Sequence, residues 1–477
     1  MATIMKVLLL LLPLALAQSP GLQAGVSLSA IQGFKNQAIP AFLSQVGTIS
    51  IPGQSTQLDL SIDAQISNIQ LSNLRADPAT TQVLFSPPEL VGVEVTGLQL
   101  SVNFDWGFTS DLGDGQGSGS VAINSSVLAA NVTVGASAGH CTLLISGASM
   151  VIGELEVSFE GDPLADVADW ILNLFKGHVK DLMEESIENA VLIEGQQALN
   201  GQLSQLSIYV PIGNTGISVN YDLVQEPVVQ PTYISIASLA MFVDSNDPNS
   251  TPPVAPPAQL PDFDASGQQI QITISDYTLN TGLYAAAMAG RLQYTITPDL
   301  VPASFPLKLD TTYLNALFPG LEAKYGSNQP CSIQCSASPP PSVSTTPGDL
   351  NGVATGSCLL FAESTQVLGL AITLDFSASV SLANWEVHGQ ILSAEVSSVE
   401  AFNSTLTEAV DTEGLSYTLN VALRLVAPVL DSTYLATGIT LPHIENLNLN
   451  EGEVTLGAGY VQIQATPQYN LTRMEVE

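Results

Sequence analysis

From Thr48 to Glu160 the chain alternates apolar and polar residues, as in Leu58-Asp59-Leu60-Ser61-Ile62-Asp63 and Leu98-Gln99-Leu100-Ser101-Val102. Successive side chains of a strand point to opposite faces, so the pattern dictates a long antiparallel meander with one buried face. The Gly-rich run Asp111–Ser120 reads as a turn between two of its strands. An apolar sheet face must be covered. The cover follows in sequence: Asp162-Pro163 reads as an N-cap with proline at the first helical position. Val167, Ile171, Leu174, Phe175, Val179, Leu182, Met183 and Ile187 then fall on one stripe of a helix running to about Leu192.

A first helix is expected over Val26–Val46, where Ile31, Phe34, Ala38, Phe42 and Leu43 recur at three- and four-residue steps and Pro40 predicts a kink or interruption. Strands resume at Leu206–Val210 and Ile217–Val224. Asp244–Asp264 holds Pro248, Pro252, Pro253, Pro256, Pro257 and Pro261, the composition of a semi-rigid linker. Beyond it the order repeats. A strand at Ile270–Ile274 precedes a helix at Asp276–Gly290, and alternating strands fill much of Leu292–Ala401. A short helix near Thr311–Phe318 and a Pro-rich loop at Ser338–Thr346 interrupt them. An amphipathic segment at Ser404–Leu430 and a strand at Val454–Ile463 follow. The pattern predicts two related α+β domains, 25–243 and 265–465, joined by the linker 244–264.

Hydrophobic residues reach 45% while charged residues stop at 11%, enough apolar surface to bury large cores. Against 44 acids stand 10 Lys and Arg, and a net charge of -34 excludes a nucleic-acid partner. Lys6, the apolar run Val7–Leu12 and Ala15-Leu16-Ala17 predict a signal peptide over 1–17 and hence a secreted, extracellular protein. No later stretch is long and apolar enough to predict a transmembrane anchor. Sequons at Asn124, Asn131, Asn249, Asn403 and Asn470 are glycosylation candidates.

Cys331, Cys335 and Cys358 cluster, predicting one local disulfide, while Cys141 is expected as a buried free thiol or a long-range partner. A metal at the cysteine cluster is disfavoured, since the nearest histidine in sequence is His388. The four histidines form no HExxH pair, and no nucleophile elbow or Walker loop is present. His140 and Cys141 are adjacent in a strand and so face opposite ways. No catalytic residue, metal or cofactor is expected, and the chain is not read as an enzyme.

Thr251-Pro252-Pro253-Val254-Ala255-Pro256-Pro257, followed by Ser275-Asp276-Tyr277-Thr278-Leu279-Asn280-Thr281 and Ala289-Gly290, resembles the bactericidal/permeability-increasing protein family, which includes lipopolysaccharide-binding protein and the plasma lipid-transfer proteins. Gly25-Val26, Ile49-Ser50-Ile51-Pro52, Trp170–Phe175, Leu317-Phe318-Pro319 and Leu441-Pro442 fit the same family. The resemblance implies an elongated two-barrel boomerang, each barrel a twisted antiparallel sheet wrapped around a long helix, joined by a central sheet. It implies an apolar pocket per barrel for the acyl chains of a phospholipid or other two-chain lipid. Ile31, Phe34, Leu174, Phe175, Tyr277 and Tyr284 are the candidate lipid-binding residues by position. Innate-immune recognition of bacterial lipopolysaccharide is the alternative. The chain departs from the family in two ways. The family's bridge from strand to long helix lacks its helix cysteine in Lys180–Ile193, and Arg75 is the one basic residue between Lys35 and Lys176, so only weak lipopolysaccharide binding is expected.

Overall fold

The computed structural model describes residues 19–469 except 46–48, 60–61, 112, 249, 265, 302–307, 384–385, 431–438 and 441–446. The expected signal peptide 1–17, the sequons at Asn249 and Asn470, and Leu441-Pro442 lie outside the described residues. The fold is α+β. Contacts group the chain into two compact units, one of Gly25–Ser207 with Gln225–Ile236, the other of Ile208–Val224 with the described residues from Ala237 on and those before Gly25.

Among its described residues the first unit builds an eight-stranded antiparallel sheet. Its main path runs Ile49–Ile51, Ile62–Arg75, Leu90–Ser110, Gly115–Ser137, His140–Val151. Inward residues meet one face of the long helical segment, whose Val167, Ile171, Phe175, Val179, Met183 and Ile187 are fully buried against Ile66, Leu71, Leu98, Phe104 and Ile123. The Phe175 ring centroid lies 4.9 Å from that of Phe104. The helix His178–Ala190 touches both Ile49–Ile51 and His140–Val151, the two ends of that path, so the sheet curls round it.

The Gly-rich run is mostly strand, which corrects its reading as a turn. The turn begins at Asp111, with Gly113 N donating to Ser110 O at 3.1 Å, and Gly115, Gly117 and Gly119 already pair across the sheet with Phe108, Trp106 and Phe104. A Cβ on these glycines would come within 2.4, 2.5 and 2.3 Å of the respective rings, so each aromatic side chain lies flat over the glycine beside it. The second unit repeats the device with Gly352 under Phe376 and Gly369 under Phe402.

The long helix also differs from expectation. It starts at Ala165 with Leu164 at its cap, so Pro163 precedes the helix rather than opening it. It breaks at Gly177, widens into a π turn over Val191–Gly195, and continues as Gln196–Gln205. Its flank satisfies the open edge of the strand His140–Val151. Glu184 and Glu188 accept the N–H groups of Ile152 and Met150, each at 2.7 Å. Gln196 and Asn200 accept those of Ile145 and Leu143, at 3.0 and 2.9 Å. Four helical residues rise about 6 Å and two strand residues about 6.6 Å, so the two series keep in step. Between the two pairs the strand carries one extra residue, Ser146, at a register shift, and the helix carries its π turn. The helix Leu28–Gln45 continues through Pro40, so the expected interruption does not occur.

In the second unit, among described residues, a seven-stranded sheet runs Gln293–Ile296, Cys331–Ala337, Asp349–Ala362, Thr365–Ala383, Glu386–Phe402, Ile439–Thr440, with Ser342–Thr346 paired to Asp349–Ala362. Part of the expected Pro-rich loop is thus a strand. The helix Thr412–Leu430 packs on Glu386–Phe402, and Asn420 accepts from Val396 N at 2.7 Å and donates to its O at 3.3 Å. The single strand expected at Val454–Ile463 is a hairpin, Leu447–Gly457 with Tyr460–Tyr469, turning at Gly459 with φ 83°. Cys335 and Cys358 face each other across paired strands and form a disulfide, while Cys141 and Cys331 are free thiols.

Candidate functional site

A groove of about 610 Å³ opens in the second unit. Its floor is the helix Asp276–Met288, capped by Ser275, whose Oγ accepts from Thr278 N at 3.3 Å. Asp276, Asn280 and Tyr284 come to one side at four-residue steps, with Tyr277 beside them. One wall is Pro253–Ala258, the segment read from composition as linker; the other is Pro339–Val343. Proline rings and tyrosine faces make the surface apolar and stiff, since neither wall loses much rotamer freedom on contact with a ligand.

The polar groups of the floor are used to hold the second wall. Asp276 accepts from Thr345 N at 2.8 Å and from Thr345 Oγ1 at 2.7 Å. Asn280 accepts from Val343 N at 2.7 Å and donates to Val343 O at 2.9 Å. The Tyr277 hydroxyl points into the core and donates to Met241 Sδ at 3.0 Å, and burial raises its pKa. What remains toward the groove is mostly apolar surface. Among the described residues no group of His, Cys, Asp and Glu has the arrangement of a metal site.

The six expected lipid-binding residues fall in three places. Tyr277 and Tyr284 line the groove. Ile31 packs on a buried apolar cluster of the first unit, Val83, Phe85, Val134 and Val229, as does the free thiol of Cys141, and Phe34 is half-buried on the same helix. Burial and the nearby Glu226 raise the Cys141 pKa. Phe175 is fully buried in the closed core, and Leu174 packs on that core's margin. Sequence reading missed Asn280 and both proline walls. The Pro-rich composition was visible, but composition cannot say that two distant stretches face each other. A smaller cavity of about 200 Å³ lies beside the Cys335–Cys358 disulfide, with Leu292, Tyr294 and Ile372 in its lining.

The sequence profile of the LBP / BPI / CETP family, C-terminal domain, matches residues 214–469. The chain belongs to this family. It is 22% identical to the lipopolysaccharide-binding protein of Homo sapiens over 98% of this chain and 97% of that one. It is 21% identical to the phospholipid transfer protein of Homo sapiens over 98% and 93% of the two chains. A crystal structure of lipopolysaccharide binding protein shares the fold with a TM-score of 0.58 at 19% identity, covering 94% of this chain and 99% of that chain.

The charge of this chain is one-sided at one place. At the end of the first unit where Asp59 pairs with Ile62, Phe108 with Gly115 and Ser118 with Glu160, the exposed charges include Asp63, Asp105, Asp111, Asp114, Glu160, Asp162 and Asp166. Segments 54–70, 104–118 and 154–170 hold no Lys or Arg. Arg75, the one basic residue between Lys35 and Lys176, closes the strand Ile62–Arg75, on the order of 40 Å along the strand from this end. Among the described residues no helix is long and apolar enough to cross a membrane.

Proposed function

We propose that this chain is a secreted, non-enzymatic lipid-binding or lipid-transfer protein that buries the acyl chains of a phospholipid, or another two-chain lipid, in apolar sites of its two units. The observation that carries this reading is similarity along 98% of the chain to both a lipopolysaccharide-binding protein and a phospholipid transfer protein. The stiff apolar groove supports it. Each methylene withdrawn from water contributes about 0.8 kcal/mol, so two chains hold a lipid without a fixed headgroup contact.

The second reading, innate-immune recognition of bacterial lipopolysaccharide, is favoured by the names of several relatives. Lipid phosphates are met by Lys and Arg in charge-assisted contacts. The acidic end of the first unit speaks against that chemistry there. Native mass spectrometry of the secreted protein before and after delipidation, with uptake of a fluorescent phospholipid, tests the leading reading. One identical mass and no uptake would end it, and uptake of lipopolysaccharide alone would hand the site to the second.

A further inference from the structure

We propose that Asn131 carries an N-linked glycan that lies over an apolar patch on the outer face of the first unit's sheet. Ala130 and Val132 pack into the core, so Asn131 between them faces outward, and it is exposed. Cross-strand pairing sets Leu84, Gly92, Asn131 and Gly147 in one row over four strands. The adjacent row is Ser86, Leu90, Thr133 and Leu144. Leu84 and Leu144 are each 54% exposed. A solvent-facing sheet surface of a secreted protein normally carries polar side chains, and exposed leucines grouped on one face mark a covered surface.

The two glycines identify the cover. Neither Gly92 nor Gly147 has a positive φ, so the backbone does not require glycine at either place. In a strand interior glycine costs stability and packs nothing. A Cβ at Gly92 would meet only Asn131 Oδ1 and Leu84 atoms, all at 3.9 Å, and one at Gly147 would meet nothing within 4 Å. The Asn131 amide therefore stands between two strips of bare backbone, a flat clearing for a sugar ring. The sequon Asn131-Val132-Thr133 puts the acceptor amide and the Thr133 hydroxyl on this same face. A sugar's C–H face then rests on the leucines while its hydroxyls meet water. The other described sequons lack this setting. Asn124 pairs with the acidic Glu154, and Thr405 of the Asn403 sequon already donates to Val367 O at 2.9 Å.

The inference rests on the secretory reading above. The full chain, expressed in glycosylating cells, is recovered from the medium and mapped by peptide mass spectrometry before and after enzymatic release of N-glycans. The Asn131 peptide is expected to carry a glycan, lost in Asn131→Gln and Thr133→Val and kept in Thr133→Ser. Release of the glycan raises binding of an apolar dye, and Leu84→Ser with Leu144→Ser abolishes the rise. Secreted protein with bare Asn131, or dye binding unmoved by release, overturns the proposal while leaving secretion intact. A dimer with bare Asn131 that Leu144→Asp disperses assigns the patch to a second copy instead. Retention in the cells without any glycan sinks both readings.

Discussion

Asn280 holds Val343 by both of its backbone groups, accepting from the N–H at 2.7 Å and donating to the carbonyl at 2.9 Å. Asn200 grips Leu143 in the same way, with 2.9 and 2.7 Å, and Asn420 grips Val396. An edge strand presents one outward N–H and one outward C=O at the same residue, and a primary amide matches both without a charge. Asp276 and Asn280 against Thr345 and Val343 also repeat the step of four helical residues to two strand residues seen in the first unit.

Replacing Asn280 by Ala strands two backbone groups, at about 1–3 kcal/mol for a buried unsatisfied donor. Hydrogen exchange of the Val343 amide is expected to quicken roughly tenfold to hundredfold, with a parallel fall in phospholipid uptake as the groove wall loosens. Asn200→Ala quickens Leu143 instead and leaves Val343 unmoved. Unchanged exchange in both variants would show that water replaces the amide at no cost.

Gly117→Val places a Cβ 2.2 Å from Glu160 O and 2.5 Å from the Trp106 ring, both parts of the packed sheet. Overpacking of this kind costs about 1–3 kcal/mol. Gly147→Ala, with open space around it, is expected to stay within about 0.5 kcal/mol of the parent. Denaturant midpoints of the two variants decide the matter; equal midpoints would remove the glycine–aromatic pairing from the account of the fold.

These glycines also mark how far the sequence was legible. Alternation from Thr48 to Glu160 and the stripe Val167–Ile187 predict a sheet and its covering helix because both periods are local. The run Gly115–Gly119 reads as a turn because what makes it a strand, a ring from Phe108, Trp106 or Phe104 on the neighbouring strand, is a cross-strand partner. The acceptors Glu184, Glu188, Gln196 and Asn200 share a four-residue line beside the apolar stripe, a signal visible in the sequence but without meaning until the edge strand is in place. Ile208–Val224, counted by sequence with 25–243, packs in the second unit because Ile217–Asn220 pairs with Met241–Asp244, which packs on the helix Asp276–Met288.

Tyr284→Asp puts a charge on the floor of the apolar groove. Phospholipid uptake by the second unit is expected to fall about tenfold, the equivalent of about 1.4 kcal/mol, with the fold intact by circular dichroism. Uptake equal to the parent's would move the lipid site elsewhere.

Cys331 is buried at 1% exposure, and burial with the nearby Asp310 pushes its thiol from 9.0 up to about 11. A folded pKa above the unfolded one means its contribution to stability is whole below about 9 and is lost as pH climbs toward 11. Alkylation of Cys331 in native protein is expected to be negligible at neutral pH and to appear only on unfolding. Rapid labelling at neutral pH would contradict this placement.

Lipopolysaccharide binding is expected to be weak, because the strand-turn end carries acids, and largely insensitive to salt, because the affinity left comes from apolar insertion and charge repulsion is already screened beyond about 8 Å at physiological ionic strength. Arg75→Ala should leave it unchanged, given that residue's distance from the acidic end. Tight binding that collapses with added salt, or with that substitution, would restore the electrostatic reading.

The helix clamps have a consequence for the chain's behaviour among other copies of itself. A curled sheet that never closes strand to strand leaves a row of backbone groups ready to template another chain. Here Glu184, Glu188, Gln196 and Asn200 occupy that row along His140–Val151, and Asn420 covers one position, Val396, on Glu386–Phe402. Side chains can let go one at a time, whereas a strand ladder separates as a unit. The edge of the first sheet can therefore loosen at one clamp while the others keep it denied to intermolecular strand addition.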